Sequence, residues 1–302
     1  MKRTIGGVVV AYNPDGLSFL KVINSVINEV DFLVVVNNSS VLLNELCEGL
    51  ENIQFEVIEN KDNVGIAKAL NLGVDFLISK GCSYFLLLDQ DSQVPKNMAH
   101  ELVKAINQLH SPTNPVAAIG PAYFNSRLEK NAPFIKFGKL SVEKIVPEPN
   151  TLYVPVDFLI TSGSLITLEA INTVGMMEDG LFIDFVDTEW CLRAASKGYR
   201  LYGLNSVKME HALGDDPVLF FNKKMPMHSP LRHYYIARNA LHLAKRSYIP
   251  INRRLIVLIS MAKTFLFYSI VPSNRLAHFK MMLKGFYDGI SRKYGRYDKV
   301  VK

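Results

Sequence analysis

Tyr84-Phe85-Leu86-Leu87-Leu88-Asp89-Gln90-Asp91 decides how this chain is read. The apolar run has the length and apolarity of a strand buried on both faces, as in parallel sheets. Two carboxylates one residue apart then stand at the carboxyl end of that strand, where open parallel sheets bind ligands, and they suit a metal-bound phosphate. The same residues also suit a solvated turn in which Asp89 or Asp91 caps the next helix. Ser92 and Pro95 fit a helix start before the segment Lys96 to Leu109.

Outward from this point the first half alternates strand and helix. Strands are expected at Thr4 to Tyr12, Phe32 to Val36, Ile53 to Ile58, Tyr84 to Leu88 and Val116 to Gly120. Helices are expected at Leu17 to Asn28, Val41 to Leu50, Gly65 to Ser79 and Lys96 to Leu109. That rhythm predicts an α/β fold with a doubly wound, mostly parallel sheet and ligands over its carboxyl edge. From Pro121 to Val156 the periodicity fades into short strands and loops. Order returns from Phe158 to Ile166, followed by a short helix from Leu168 to Thr173 and a helix from Asp187 to Lys197 that Gly198 closes as a left-handed cap. After Pro226 the pattern becomes helical: Leu231 to Tyr248, Arg253 to Val271 and Arg275 to Lys293.

The 302 residues, 49% of them apolar, suffice for a catalytic domain and an appendage. Net charge is +6, unevenly spread: residues 222–302 hold 17 Lys and Arg against Asp288 and Asp298, and the rest holds 17 against 26 acids. The break divides a catalytic domain, 1–221, from a basic amphipathic helical region, 222–302. The apolar run Leu255 to Val271 carries Lys263 at its middle and falls short of the roughly 20 residues of a membrane span, so it suits interfacial docking. Cys47, Cys82 and Cys191 are scattered without a Cys-x-x-Cys, which argues against a disulfide framework or zinc site and for reduced cytosol. Lys2-Arg3 and the apolar residues after it are cut short by Tyr12-Asn13-Pro14-Asp15-Gly16, a turn sequence, and read as a first strand rather than an export signal.

Four further features bear on the acid pair. Tyr12-Asn13-Pro14 and Asn37-Asn38-Ser39-Ser40 put short polar side chains at two adjacent strand ends, fit either for a nucleobase and ribose or for ordinary turns. In Asn60-Lys61-Asp62-Asn63-Val64-Gly65-Ile66-Ala67-Lys68, Asn63 suits the cap of a helix whose first turn contains Gly65, with N–H groups facing a ligand. Further on, Asn71 and Gly73 fit tight packing of that helix on the sheet. Asp187 opens a helix, as an N-cap or as a general base, and Glu189 with Arg193 has ion-pair spacing. Val207 to His211 reads as a strand ending in a histidine, which with oxygen donors suits Mn²⁺ or Mg²⁺ better than zinc.

Five short phrases extend the pattern: Leu88-Asp89-Gln90-Asp91-Ser92, Thr161-Ser162-Gly163-Ser164, Phe182-Ile183-Asp184, Val186-Asp187-Thr188-Glu189-Trp190 and Tyr235-Ile236-Ala237-Arg238-Asn239. In their order, from about Ile5 to Asn239, the chain resembles the inverting family 2 glycosyltransferases of GT-A fold. Within them it is similar to the bacterial rhamnosyltransferases of O-antigen and cell-wall polysaccharide synthesis. The resemblance implies Asp91 as the metal-binding acid, with Asp89 its companion near ribose and diphosphate, Asp187 as the acceptor-activating base, and His211 as a metal-associated histidine. It implies Mg²⁺ or Mn²⁺, and a nucleotide-sugar site drawing on Tyr12, Asn13, Asn37, Asn63, Gly65, Lys68, Gln90, Ser162 and Gly163. One departure matters: where the family often has a base-reading aspartate, Asn37 stands here, which can both donate and accept.

The implied donor is dTDP-β-L-rhamnose, with UDP-linked or other dTDP-linked sugars behind it. The implied acceptor is a polyprenyl-diphosphate-linked saccharide at the cytoplasmic face of the inner membrane, where the basic helices would meet anionic headgroups as a peripheral surface. Arg253-Arg254, Lys263, Lys280, Lys284, Arg292-Lys293, Phe265, Phe267, Tyr268 and Phe286 suit that contact, and a homodimer through the same helices is the alternative. A sugar-nucleotide nucleotidyltransferase would need a Gly-rich basic loop after the first strand, and Tyr12 to Gly16 offers none. A non-catalytic membrane or nucleic-acid binder fits less well, and nucleic acid is not an expected partner, because long apolar stretches interrupt the basic tail.

Overall fold

The computed structural model describes residues 4–47, 49–50, 53–125, 130–210, 218–220, 223–225 and 228–300. Strand β1 (Ile5–Ala11), helix α1 (Gly16–Val26), β2 (Phe32–Asn37), α2 (Leu43–Leu46), β3 (Glu56–Glu59), α3 (Ile66–Ser79), β4 (Tyr84–Asp89), α4 (Met98–Leu109) and β5 (Val116–Asn125) follow the expected alternation. Then come β6 (Lys130–Asn131), β7 (Phe134–Phe137), β8 (Val142–Ile145), β9 (Tyr153–Val156), β10 (Leu165–Thr167), α5 (Leu168–Val174) and α6 (Val186–Ser196). The last stretch holds β11 (Arg200–Glu210), the hairpin β12 (Val218–Phe220) and β13 (Lys223–Met225), and helices α7 (Pro230–Ala244), α8 (Ile251–Tyr268), α9 (Arg275–Ile290) and α10 (Tyr297–Val300).

The main sheet runs β3-β2-β1-β4-β10-β5-β11-β9, with β6 beside β5. Strands β3, β2, β1 and β4 are mutually parallel, β11 is parallel to β5, and β10 and β9 run against their neighbours. The chain steps outward from β1 through β2 and β3, then returns on the other side of β1 as β4. Between the carboxyl ends of β1 and β4 lies the switch point of the sheet, and Asp89 is its last β4 residue, opposite Val10.

The strands are apolar on both faces because both are covered. Val8, Val10, Phe85 and Leu87 pack with Leu70, Val74 and Leu77 of α3, whereas Val9, Leu86 and Leu88 pack with Phe19 and Ile23 of α1 and Leu102 and Ile106 of α4. Gly73 fits the expected close packing, since a Cβ there would sit 2.5 Å from Val8 Cγ1. Asn71 does something else: its amide donates to Met177 O at 2.8 Å and accepts from Met177 N at 2.9 Å, tying α3 to the segment before α6.

Four expected elements differ. Helix α4 begins at Met98 rather than at Lys96, and Glu29 caps it across the fold, accepting from Asn97 N at 2.6 Å and Ala99 N at 3.1 Å. Neither Asp89 nor Asp91 is its cap. Helix α2 is one turn, and β3 sits toward the end of its expected span. Of Phe158 to Ile166, only the last two residues are strand, because the chain turns at Gly163 (φ 85°).

Helices α7 and α9 lie against each other so closely that a Cβ on Gly285 would fall 2.2 Å from Tyr234 O. The C-terminal helices are also bonded to the sheet domain, through Arg246 with Glu178, Tyr248 Oη with Glu189 at 2.5 Å, and Arg253 with Asp157 at 2.8 Å. Among the described residues no helix is long and apolar enough to cross a membrane. Cys47, Cys82 and Cys191 are buried free thiols.

Candidate active site

The switch point is stitched by polar side chains from four strand ends. Tyr12 N donates to Gln90 Oε1 at 2.6 Å, bridging the ends of β1 and β4. Asn13, at φ 45°, donates its N–H to Ser39 Oγ at 2.8 Å, tying β1 to β2. Asp89 N donates to Ser162 Oγ at 3.2 Å, and Ser162 Oγ donates to the buried Ser92 Oγ at 2.6 Å. These bonds fix the backbone of the acid pair while leaving Asp91 exposed and Asp89 half-buried. Tyr12, half exposed, borders the same crevice.

Asp187 comes from another element, at the second residue of α6, where Thr188 N donates to its Oδ1 at 2.7 Å. It is not the N-cap; that position belongs to Phe185 in a left-handed conformation, φ 64° and ψ 5°. The approach to α6 is strained. Phe182 has φ 67° and ψ −63° with Ile183 N donating to Leu181 O at 2.8 Å, which is a γ-turn of the rare positive-φ hand, and Asp184 follows at φ 62°. Such non-glycine conformations each cost roughly 1–3 kcal/mol and persist where the surroundings over-determine them. Phe182 O accepts from Ile66 N at 2.7 Å, and Arg232 Nε of α7 lies 3.1 Å and 3.3 Å from the two Asp184 oxygens.

These carboxylates lie close enough to feel one another's charge. Burial, then the charges of Asp91 and Asp187, push Asp89 up to about 7, and Arg232 opposes them. Burial also lifts Asp187 to about 6, against the N–H of Thr188 and with help from Asp184. Asp184 is raised by burial and held back by Arg232. A small cavity of about 20 Å³, lined by Leu159, Thr161, Trp190 and Cys191 among others, lies behind Asp187 and has room for one water. The donor set of the acid pair is all oxygen, and Asp89 is raised by burial first and then by the charges of Asp91 and Asp187, so a positive charge beside the pair would be favoured. Such a set fits a hard divalent cation. No cluster of three metal-ligating side chains occurs among the described residues, and the expected companion donor, His211, lies outside them.

Several expected ligand residues have structural duties. Asn37 is fully buried, its amide donating to Val41 O at 2.8 Å and Glu59 Oε2 at 2.6 Å while accepting from Ser39 N at 3.0 Å, so it braces the loop after β2 at the place where a base reader was expected. Asn63 Oδ1 accepts from Gly65 N at 2.9 Å, but Gly65, not Asn63, flanks the helix start. The first N–H of α3 meets the Phe182 carbonyl instead of a ligand, and Gly65 is needed for that approach, since a Cβ would lie 2.6 Å from Phe182 O. Lys68 pairs with Asp179 at 3.1 Å. Ser162 is 1% exposed, and Gly163 serves the turn, with its N–H donating to Leu87 O at 2.7 Å, so both residues brace the strand ends around the acid pair. Glu189 and Arg193 form the expected pair at 2.8 Å. Arg232 was missed, because an arginine in the first turn of a helix carries no sequence signal of the acid it will meet.

Comparison with known proteins places the chain and its fold. The family model described as "Glycosyl transferase family 2" matches residues 8–149. The chain is 32% identical over 298 residues to "dTDP-rhamnosyl transferase RfbF" of Shigella flexneri, covering 96% of each protein. Among solved structures it is similar to S. aureus TarS residues 1–349 in complex with UDP-GlcNAc, at a TM-score of 0.57 and 14% identity, covering 95% of this chain and 81% of that one. It is also similar to GalNAc-T7 with UDP, GalNAc and Mn²⁺, at a TM-score of 0.56 and 15% identity, covering 92% of this chain and 58% of that one. At those identities the structural likeness speaks for the fold alone.

Proposed function

The chain belongs to glycosyltransferase family 2, and from that premise we propose that it moves L-rhamnose from dTDP-β-L-rhamnose to a hydroxyl of a lipid-linked saccharide with inversion at the anomeric carbon. The observation that carries this reading is the gathering of acids: Asp89 and Asp91 at the end of β4 and beyond it, and Asp187 at the head of α6, close enough for its charge to act on Asp89. The 32% identity to a dTDP-rhamnosyl transferase supports the choice of donor.

In the proposed step Asp187 takes the proton of the acceptor hydroxyl, whose oxygen bonds to the anomeric carbon as the bond from that carbon to the diphosphate oxygen breaks. The bonding pair leaves with the nucleoside diphosphate. A carboxylate lifted to about 6 is ionised at neutral pH yet more basic than an ordinary one, which suits a general base. Asp91, with Asp89 beside it, would hold a divalent cation, which would neutralise charge on the leaving diphosphate. Gln90 and Ser162 keep the acid pair in place from either side, and Arg232 adds a positive charge facing Asp184 and Asp89. Exposed Tyr12 and Asn13 are the proposed wall for the base and ribose.

The exposed apolar face of α8, Leu255, Ile259 and Leu266, with Ile270 just past its end and exposed Lys263, Arg275 and Lys280 nearby in sequence, supports peripheral contact with an anionic membrane surface, proposed to be the inner leaflet. Tyr268 is buried, Arg253 pairs with Asp157, and Lys284 and Lys293 pair with Asp288, so these leave the contact set expected from sequence.

A donor panel tests the reading. The protein is incubated with Mn²⁺ or Mg²⁺, several dTDP- and UDP-sugars and a lipid-linked acceptor, and nucleoside diphosphate release is recorded. Release from dTDP-rhamnose above all others is expected; preference for a UDP-sugar would overturn the donor assignment.

A further inference from the structure

The Tyr235-Ile236-Ala237-Arg238-Asn239 segment of α7 takes no part in the displacement above, yet Arg238 and Asn239 are fully buried polar side chains. Both are directed at the strained loop before α6. Asn239 Nδ2 donates to the carbonyls of Leu181 at 2.9 Å, Ile183 at 2.8 Å and Asp184 at 2.9 Å. Asn239 Oδ1 accepts from Arg238 Nε at 2.9 Å, and Arg238 Nη2 donates to Leu181 O at 2.8 Å and Gly180 O at 3.2 Å. The Tyr235 ring stacks on Phe182, centroids 5.1 Å apart.

A loop that doubles back through three positive-φ residues turns its carbonyls away from any ladder, and buried carbonyls without donors are costly. Here two side chains of a single helix supply those donors. Their bonds end on backbone carbonyls rather than on Asp187, so they act through the loop.

We infer that Asn239 and Arg238 are positioning residues of the transfer reaction: from α7 they hold residues 181–185 in their strained path, and thereby fix where the Asp187 carboxylate meets the acceptor hydroxyl. This rests on the reading of Asp187 as the base. It makes the C-terminal helical region part of the acceptor side of the catalytic machinery, whatever else its outer face does. Donor binding, built on the ends of β1 and β4, does not depend on these bonds.

The test separates kcat from donor binding in the full chain. Asn239→Ala and the milder Arg238→Lys are compared with wild type for Kd and stoichiometry of dTDP with Mn²⁺ by calorimetry, and for kcat per nucleotide-binding site. Displacing a reacting group by about 1 Å costs on the order of 10²-fold, so kcat of Asn239→Ala is expected to fall about 10²-fold with Kd within about threefold. A kcat per binding site within about threefold of wild type overturns the inference. Loss of nucleotide binding in step with kcat in both variants also overturns it, because the role is then general folding. Amide hydrogen exchange gives a readout that does not need turnover: exchange across residues 181–189 should accelerate about tenfold in Arg238→Lys while β4 amides stay protected. Unchanged or uniform exchange contradicts the clamp. Asp187→Asn is run alongside; wild-type turnover there would sink the base assignment, while the exchange data would still judge the clamp.

Discussion

Replacing Arg232 by Gln probes the electrostatics of the cleft, because its guanidinium opposes the acids that cluster there. Its Nε lies 3.1 Å from one Asp184 oxygen and 3.3 Å from the other, and the arginine side chain is 38% exposed against 13% for the aspartate. Breaking a fully buried pair from one side costs about 3–5 kcal/mol. Solvent access to the arginine discounts that to roughly 1–2 kcal/mol, or a Tm lower by about 2–6 °C. The second effect has a definite sign. Arg232 lowers both Asp184 and Asp89, so its removal raises both, and Asp89 already stands at about 7. If the site must be ionised to work, the acid limb of kcat/KM moves to higher pH, by about half a unit to one unit at roughly 1.4 kcal/mol per unit. The assay is nucleoside diphosphate release from pH 5.5 to 9, with Arg232→Lys as the charge-keeping control. A limb that stays in place or moves to lower pH in Arg232→Gln, with Tm unchanged, would refute the electrostatic account of the cleft.

Two further outcomes follow from packing and burial. Gly65→Ala places a methyl 2.6 Å from Phe182 O at a φ of +86°, so it should destabilise the protein by roughly 2–4 kcal/mol and lower kcat as the loop shifts; a variant with wild-type Tm and rate would contradict the close approach. Burial lowers His233 to about 3 and His242 to about 4, with the neighbouring His278 adding to the first. The unfolded chain then binds more protons below about pH 6.5, so stability present above that pH is lost as pH falls toward 4. At pH 5.5 the two together amount to roughly 2–3 kcal/mol. The fall in Tm from pH 7.5 to 5.5 should be smaller in His242→Gln than in wild type; equal falls would contradict it.

Much of the fold can be read in the sequence because both faces of β1, β2 and β4 are covered, and strands of that kind show as uninterrupted apolar runs. The acid pair was legible for the same reason: it follows the plainest of those runs. The antiparallel β10 was hidden, since a strand of three residues, Leu165–Thr167, looks the same in either direction and only the turn at Gly163 reveals the break. Edge strand β3 has little buried pattern to fix its ends, and its range slipped toward Glu59. Asn37 illustrates a different limit: an amide at a strand end has the same chemistry whether it faces a base or braces a loop, and here Glu59 and Val41 claim it. The left-handed Phe182, Asp184 and Phe185 have no sequence signature, because those conformations come from Asn239, Arg238 and Arg232, about 50 residues further on.

The most direct test of the central claim is the transfer rate of Asp187→Asn with saturating donor, Mn²⁺ and acceptor. The amide keeps the shape of the side chain but cannot take the acceptor proton, so transfer should fall about 10²–10⁴-fold with dTDP affinity kept within about threefold. A rate near that of wild type would show that another group activates the acceptor and that the gathering of Asp187 with Asp89 and Asp91 is not what drives transfer.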